Sequence, residues 1–446
     1  MTLSEKSLVP RVAVGSLSSP LEVGADRAPV AAHELSECLQ KAGCEVLELG
    51  SVDTPDKSVA AGRAMAQGLV QAVVLAAASW FEDYLVLDLL EECGVPVLLW
   101  SLPGMETGAL CGTQQLTAYL KQLEKPFRCL YGPLDHAGNM EQARIFLRAV
   151  ALQYQLRRAR VGFGGYRVTG MSEVSANEFG LKKALGPRII PLDMPLLLAR
   201  AGEVGDEEVR SRWEQVVARS GCCKVSTSDG LDSLKVYVAV KELVAKHRLD
   251  ALTIGCYPHL MGRICLAASL LADEGIPLGC EGDVNGAVGQ LLLTRLSGQP
   301  THNTDWLEPL EDGTVIFSHC GSGSFTLAEN PRDISLSPVR LMDQGVCALF
   351  SSRPGPVTLV SLLPRDGGYQ LALLEGEAIS TSMVFRGNPL RVRFPLPTPQ
   401  IIDWIFAEGI GHHWMAAYGH FGNEIIHWAQ LCGPSLKLLR CTSVVR

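Results

Sequence analysis

The chain has 446 residues, of which 47% are hydrophobic and 19% are charged, so it can bury more than one globular core. Its net charge of -8 at pH 7 argues against nucleic acid or an anionic membrane as a partner, because both attract clustered Lys and Arg. The apolar stretches are too short to span a bilayer, and the first residues lack the apolar region of a signal peptide. We therefore expect a cytoplasmic protein of two or three domains that acts on a small molecule.

The first third of the chain alternates predicted strands with predicted helices. Short apolar runs predict strands at residues 11–17, 44–50, 72–78 and 95–100. Helical periods between them predict helices at residues 33–43, 58–70 and 84–94. This pattern is typical of parallel strands covered on both faces, so residues 1–158 are predicted to form a doubly wound, Rossmann-like α/β domain.

A second α/β domain is predicted at residues 159–328, where apolar runs and helical periods alternate again. Beyond it, Pro and Gly interrupt the apolar runs and helical periods are few, so residues 329–446 are predicted to form a smaller, mainly β domain. Histidines repeat every seven residues from His413, which predicts a late helix over residues 411–433 that carries His413.

Four polar side chains are placed where strands or loops end. Glu281 ends the predicted strand IPLGCE, and Asp305 lies in the loop segment THNTDW. His319 follows the apolar run TVIFS, and His413 lies in GIGHHW. Ligands bind outside the carboxyl ends of parallel strands, and a mixed set of carboxylates and imidazoles suits Mn²⁺ or a similar divalent ion.

Each of these residues also has a purely structural explanation. Glu281 and Asp283 precede a helical segment, where a carboxylate caps the helix and interacts with its dipole. Asp305 has the surroundings of a turn residue, and His319 those of a core histidine. From the residues alone, capping and metal binding are equally open for the carboxylates at 281 and 283.

Four segments together resemble the signature of the L-fucose isomerase and L-arabinose isomerase superfamily: CEGDVNGA, LSGQPTHNTDW, SHCGSG and GHHWMAAYGH. The resemblance is strongest over about residues 250–325, recognisable at 160–195 and 383–430, and architectural before that. It implies an enzyme that interconverts an aldose and a ketose by proton transfer through an ene-diol intermediate. The substrate implied is a monosaccharide, either fucose- or arabinose-like or carrying an anionic substituent.

The resemblance also implies the site residues. Glu281 and Asp305 match metal ligands that form the acid/base pair, His413 the third ligand and His319 a fourth, with Mn²⁺ or another divalent cation as the cofactor. The choice between His412 and His413 is open. A homo-oligomer, a trimer or hexamer, is implied as well. Lower-ranked substrate contacts are expected at Trp80, Tyr257, His259, Arg167, Asn285 and His420.

Two further points leave alternatives open. Arg386, Arg391 and Arg393 alternate on a presumed strand and suit an anionic sugar, although solvated strand positions explain them more simply. A non-catalytic sugar-binding or regulatory protein on the same scaffold is the main alternative function, since fold does not fix function. Metal-assisted hydrolysis with the same ligands is a third.

Overall fold

The computed structural model of the chain describes residues 8–442. The chain divides into two compact units, which meet in sequence between Tyr154 and Gln155. The predicted boundary at residues 328 and 329 falls inside the second unit. Among the described residues, no helix combines the length and apolar character needed to span a bilayer.

The first unit alternates strands and helices as predicted. Its elements in chain order are β1 (Arg11–Leu17), α1 (Ala28–Lys41), β2 (Glu45–Val52), α2 (Pro55–Gln67), β3 (Ala72–Ala77), α3 (Tyr84–Glu92), β4 (Val97–Ser101), α4 (Ala109–Gln122), β5 (Phe127–Tyr131) and α5 (Ala137–Leu156), which ends just past the boundary. The strands form one parallel sheet in the order β2-β1-β3-β4-β5. All residues of β3 and β4 are buried, as expected for central strands with helices on both faces.

The second unit opens with another α/β layer. Its elements are β6 (Arg160–Gly164), α6 (Glu178–Ala184), β7 (Arg188–Leu192), α7 (Met194–Glu203), α8 (Asp206–Ala218), β8 (Cys222–Cys223), α9 (Thr227–His247), β9 (Ala251–Ile254), α10 (Cys265–Asp273), β10 (Leu278–Gly279) and α11 (Val284–Ser297). Four of these strands form a parallel sheet in the order β10-β9-β6-β7. The carboxyl end of β10 leads directly to Glu281.

The rest of the chain is mainly β. Its elements are β11 (His302–Pro309), β12 (Thr314–Ser318), β13 (Ser335–Ser337), β14 (Cys347–Leu349), β15 (Gly355–Arg365), β16 (Gly368–Ile379), β17 (Leu390–Arg393), α12 (Thr398–Glu408), β18 (His413–Tyr418), α13 (Gly422–Cys432) and β19 (Leu436–Arg440). A small sheet has the order β14-β13-β8. The fold class is confirmed: parallel sheets flanked by helices precede a mainly β region.

A seven-stranded sheet dominates this β region, in the order β15-β18-β11-β12-β17-β16-β19. β15 also pairs with β16, so six strands close into a ring, and β19 pairs with the first part of β16. One hydrophobic core joins this ring to the parallel sheet: it contains Leu252 and Leu278 as well as Phe317, Val357 and Trp414. This shared core explains why the second and third predicted domains form one compact unit.

The predicted late helix over residues 411–433 is wrong for its first part. Residues His413–Tyr418 form strand β18, all six are buried, and helix α13 begins only at Gly422. The strand is fixed by pairing on both sides, with β11 and with β15. Gly419, with φ of 120°, ends the strand in a conformation that a helix cannot contain. His413 is therefore delivered by a strand.

Candidate active site

Glu281 is held by an unusual backbone turn after β10. Its φ of 65° lies in the left-handed region, and that of Gly282 follows at 72°. A left-handed glutamate is strained by about 1 kcal/mol or more, and such strain persists only where the surroundings enforce it. Here the Val168 N–H donates to the Glu281 carbonyl at 3.2 Å, and the Gly282 N–H donates to Ile254 O at 3.2 Å. The turn directs the Glu281 carboxylate away from the strand.

The antiparallel ring supplies the other three side chains, two from paired strand positions and one from the end of β12. Asp305 on β11 pairs directly with His413 on β18 and with Ser318 on β12. Residues directly opposite each other in an antiparallel pair project to the same face, so Asp305 and His413 lie side by side. His319 follows Ser318 at the end of β12. Strand pairing therefore brings Asp305 and His413 together, and His319 joins them from the residue just after the paired end of β12.

The four predicted ligands converge. His413 Nε2 is 3.1 Å from Glu281 Oε2 and 3.6 Å from Asp305 Oδ1. His319 Nε2 is 3.7 Å from the same Glu281 oxygen, and the two imidazole centroids are 5.9 Å apart. His319 and His413 are buried, while Glu281 and Asp305 keep part of their side chains exposed. The cluster is thus open on its carboxylate side.

Asp283 has two roles at once. Its Oδ1 accepts the Gly286 N–H at 2.9 Å, which caps helix α11. Its Oδ2 accepts a hydrogen bond from His413 Nδ1 at 2.8 Å. A carboxylate that binds one ring nitrogen fixes the orientation of a histidine and directs the other nitrogen to its target. The helix-capping explanation for Asp283 is therefore correct, and an orienting role toward His413 exists beside it.

Charge is concentrated in this cluster. Burial opposes ionisation of Glu281, but hydrogen bonds and charge from His319 and His413 outweigh it and hold the pKa of Glu281 well below its ordinary value. Burial also opposes protonation of His413, yet hydrogen bonds to Asp283 and Glu281 raise its pKa to about 10. Against the same burial effect, Cys320 and Asp305 raise the pKa of His319 well above its usual range. The carboxylates thus stabilise positive charge on His319 and His413.

The residues present fit a divalent cation. Ligand atoms of Asp305, His319 and His413 all lie within 4.8 Å of one another, as do those of Glu281, His412 and His413. Asp305 Oδ1 is buried and has no hydrogen-bond partner within the described part of the chain. A buried carboxylate oxygen without a partner is costly unless it has another ligand. Carboxylate oxygens with imidazole nitrogens suit Mn²⁺ and similar ions.

His412 and His413 differ in their surroundings. His412 is 42% exposed, and its Nδ1 is 2.8 Å from Glu173 Oε1. Its ring contacts that of His413 at a centroid distance of 4.1 Å, with the two planes tilted by 46°. His413 is the buried imidazole that contacts Glu281, so the contacts favour His413 as the ligand. Glu173 was not identified from the sequence, because it lies in a single 3-10 turn, Ser172–Val174, which is too short to give a periodic pattern.

Asn285 supports the loop that carries Glu173. Its side chain donates to Val174 O at 3.1 Å and accepts from the Tyr369 hydroxyl at 3.0 Å, and the residue is fully buried. The Asn177 N–H in turn donates to the same hydroxyl at 3.1 Å. Both ends of its amide are used inside the protein, so Asn285 holds this loop against helix α11; its predicted contact with a substrate stays a prediction.

The other predicted contacts divide into two groups. Arg167, Tyr257 and His259 lie in loops that follow β6 and β9, at the same carboxyl edge of the sheet as Glu281. His420 lies beyond the opposite end of β18 from His413, within 3.5 Å of Glu375 and 3.4 Å of Glu377.

Trp80 belongs to the first unit. It follows β3, is half-buried, and its indole Nε1 donates to Gln115 Oε1 at 3.2 Å. Its predicted contact with a sugar stays a prediction.

The chain is similar to proteins named sulfoquinovose isomerase. One from Alkalicoccus urumqiensis is 24% identical over 372 residues, which cover 79% of this chain and 83% of that protein. One from Priestia aryabhattai is 22% identical over 389 residues, 83% of this chain and 85% of its own. One from Clostridium sp. (strain MSTE9) is 23% identical over 356 residues, 75% and 79% of the two chains. No protein-family model matches the chain, so the resemblance to fucose and arabinose isomerases stays a prediction.

Proposed function

We propose that the chain is a divalent-metal-dependent aldose–ketose isomerase that acts on an anionic, sulfonated hexose. The observation that carries the proposal is the convergence of Glu281, Asp305, His319 and His413, which come from a parallel sheet and an antiparallel ring, into one buried cluster. The relatives named sulfoquinovose isomerase, similar over most of the chain, support the isomerase class and the sulfonated substrate.

Glu281, Asp305 and His413 would hold the metal ion, with His319 as a fourth ligand. When bound there, a divalent cation such as Mn²⁺ stabilises negative charge on two neighbouring sugar oxygens. Asp283 keeps the Nδ1 proton of His413 in place, so that Nε2 faces the carboxylates. The protein's contribution is a rigid set of donors at the end of three antiparallel strands and one strained turn.

Isomerisation needs one group that moves a proton between two carbons and one that moves a proton between two oxygens, and the two carboxylates would take these roles. Glu281 is ionised at neutral pH and partly exposed, so it can accept the proton from C2 of the aldose and return a proton to C1 of the ketose. Asp305, beside it, moves the proton between the two sugar oxygens. One proton leaves and one returns at carbon, and likewise at oxygen, so no other reactant is consumed. Because Glu281 is partly exposed, the proton that it holds exchanges with water before one is returned, and solvent hydrogen reaches C1.

An NMR experiment in D₂O tests the proposal. The purified protein with Mn²⁺ is incubated with 6-sulfonated glucose, and we expect the ketose to form with deuterium at C1, and a chelator to stop the reaction. Glu281→Gln should bind the sugar without converting it, whereas Glu203→Gln, an exposed glutamate of the same unit, should convert it normally. Conversion without deuterium would contradict the proton-transfer route. Sugar binding without conversion by the unaltered protein would favour the non-catalytic sugar-binding alternative.

The assembly implied by the family resemblance, a homo-trimer or hexamer, is part of this proposal. Light scattering of the purified protein measures it directly. A monomer at micromolar concentration would contradict it.

A further inference from the structure

Arg167 lies against the turn that carries Glu281. It follows β6 after two residues, and the next residue, Val168, donates its N–H to the Glu281 carbonyl at 3.2 Å. A Cβ added to Gly282 would be 3.0 Å from Arg167 Cα and 2.5 Å from Tyr166 O. The two loops are therefore in backbone contact, and Arg167 starts beside the candidate metal cluster.

The Arg167 guanidinium has spare hydrogen-bonding capacity. The side chain is half-buried, and one nitrogen donates to Val168 O at 3.1 Å. Within residues 8–442, no carboxylate forms an ion pair with it. A guanidinium has five N–H donors in a planar fork that matches two oxygens of an oxyanion. Most N–H donors of Arg167 can therefore bind a ligand.

The three arginines that the sequence suggested for an anionic sugar already contact carboxylates of the chain. Arg391 is 2.6 Å from Asp312 Oδ2, and Arg393 is 3.9 Å from the same oxygen. Asp312 precedes β12, so this pair lies at the opposite end of that strand from His319. Arg386 is 3.3 Å from Asp343 Oδ1. Each of these arginines therefore already has a carboxylate within 4 Å, and Arg391 and Arg393 share the same one.

An anionic sugar needs a compensating cation at this site. Three carboxylates, those of Glu281, Asp283 and Asp305, surround the histidines, and Glu173 lies beside His412. A negatively charged substituent brought near them is repelled unless a positive group receives it. Arg167 lies at the same sheet edge and is partly shielded from water, which strengthens a charge-assisted hydrogen bond.

We propose that Arg167 binds the anionic substituent of the sugar through a bidentate contact to two oxygens of a sulfonate. This inference rests on the proposed function and adds the residue that selects a charged substrate over a neutral one. A phosphate ester presents similar oxygens, so a 6-phosphorylated hexose is included in the test. The preference for a charged sugar is expected to depend on the planar fork of guanidinium donors. Lysine carries the same charge without the fork, so Arg167→Lys should keep only part of this preference.

The test compares Arg167→Gln and Arg167→Lys with the unaltered protein, all loaded with Mn²⁺. The substrates are 6-sulfonated, 6-phosphorylated and neutral hexoses. In Arg167→Gln, the ratio of kcat/KM for the sulfonated sugar to that for the neutral sugar should fall about a hundredfold, mainly through KM. Arg167→Lys should lie in between. Arg188→Gln, an exposed arginine at the start of β7 in the same sheet, serves as the matched control.

The outcomes separate this inference from the proposed function. A loss that is equal for charged and neutral sugars overturns the role of Arg167 while leaving the isomerase intact. If Arg167→Gln lowers kcat/KM more for the phosphorylated sugar than for the sulfonated sugar, the group that Arg167 binds is a phosphate ester. That result overturns the inference as stated. If the unaltered protein converts no sugar, calorimetric binding of the sulfonated sugar decides: weaker binding by Arg167→Gln supports the anion site, and unchanged or undetectable binding overturns it.

Discussion

The two halves of the candidate site are built in different ways. Asp305 and His413 are brought together by strand register, which many hydrogen bonds along β11, β12 and β18 maintain, and His319 directly follows the paired end of β12. Glu281 depends on a single left-handed turn that two backbone hydrogen bonds hold. A register cannot shift by one residue without moving every side chain to the other face. The ring therefore fixes which residues lie next to one another, whereas the turn sets the direction of the Glu281 carboxylate. The turn is the half of the site that is more sensitive to small backbone changes.

The largest effect is expected from the ring itself. Asp305→Asn keeps the size of the side chain and the register of β11, but it removes the negative charge that would bind the ion and move a proton. We expect turnover to fall by about a hundredfold to ten-thousandfold, the range of a lost acid or base. Glu308→Gln, an exposed position further along the same strand, should leave turnover near normal. Turnover within threefold of normal in Asp305→Asn would remove Asp305 from the mechanism.

Asp283 connects the two halves, and its capping role can be separated from its orienting role. Asparagine caps helices about as well as aspartate, so Asp283→Asn should keep helix α11 while weakening the hold on His413. We expect the affinity for Mn²⁺, measured by calorimetry on metal-free protein, to fall about tenfold to a hundredfold. Asp193→Asn is a matched control, because Asp193 caps α7 through Leu196 N. Equal affinities in the two variants would mean that Asp283 is only a cap.

The loop half can be tested by two glycines with similar φ. Gly282 and Gly298 have φ of 72° and 65°, so alanine strains the backbone at either position. At Gly298 nothing lies within 4 Å of the added Cβ, whereas at Gly282 it meets Tyr166 O at 2.5 Å. We expect Gly282→Ala to lower the free energy of unfolding by about 2 kcal/mol more than Gly298→Ala, because the loop of Arg167 must move. Chemical denaturation measures the free energy of unfolding of both variants. Similar losses would show that the backbone near Tyr166 can move away from the added Cβ at little cost.

The difference between the two halves also explains what the sequence could predict. The strand before Glu281 was predictable because its apolar run, its flanking glycines and the next helix are close in sequence. The strand of His413 was not, because HWMAAY is short and the seven-residue histidine spacing imitates a helix. Its structure is decided by pairing with β11 and β15, which lie far away in the chain. The family resemblance pointed to the four residues, but their mutual distances depend on that register.

Proton release on metal binding tests whether His319 coordinates the ion. In the metal-free protein both histidines hold a proton at about pH 7, because neighbouring groups raise the pKa of His413 to about 10 and that of His319 well above its usual range. An imidazole must lose its proton from the coordinating nitrogen to bind a metal, so binding should release about two protons if both are ligands and about one if only His413 is.

The same linkage sets the pH dependence. Because protons compete with the ion, the apparent affinity for Mn²⁺ should rise with pH by up to about tenfold per pH unit for each proton released, and level off above the pKa of His413, which is about 10. Calorimetry in buffers of different ionisation enthalpy counts the protons. His319→Asn should release about one proton fewer than the unaltered protein if His319 is a ligand, and the same number if it is not. Binding without proton release would show that the ion does not coordinate these imidazoles, and it would contradict their proposed role as metal ligands.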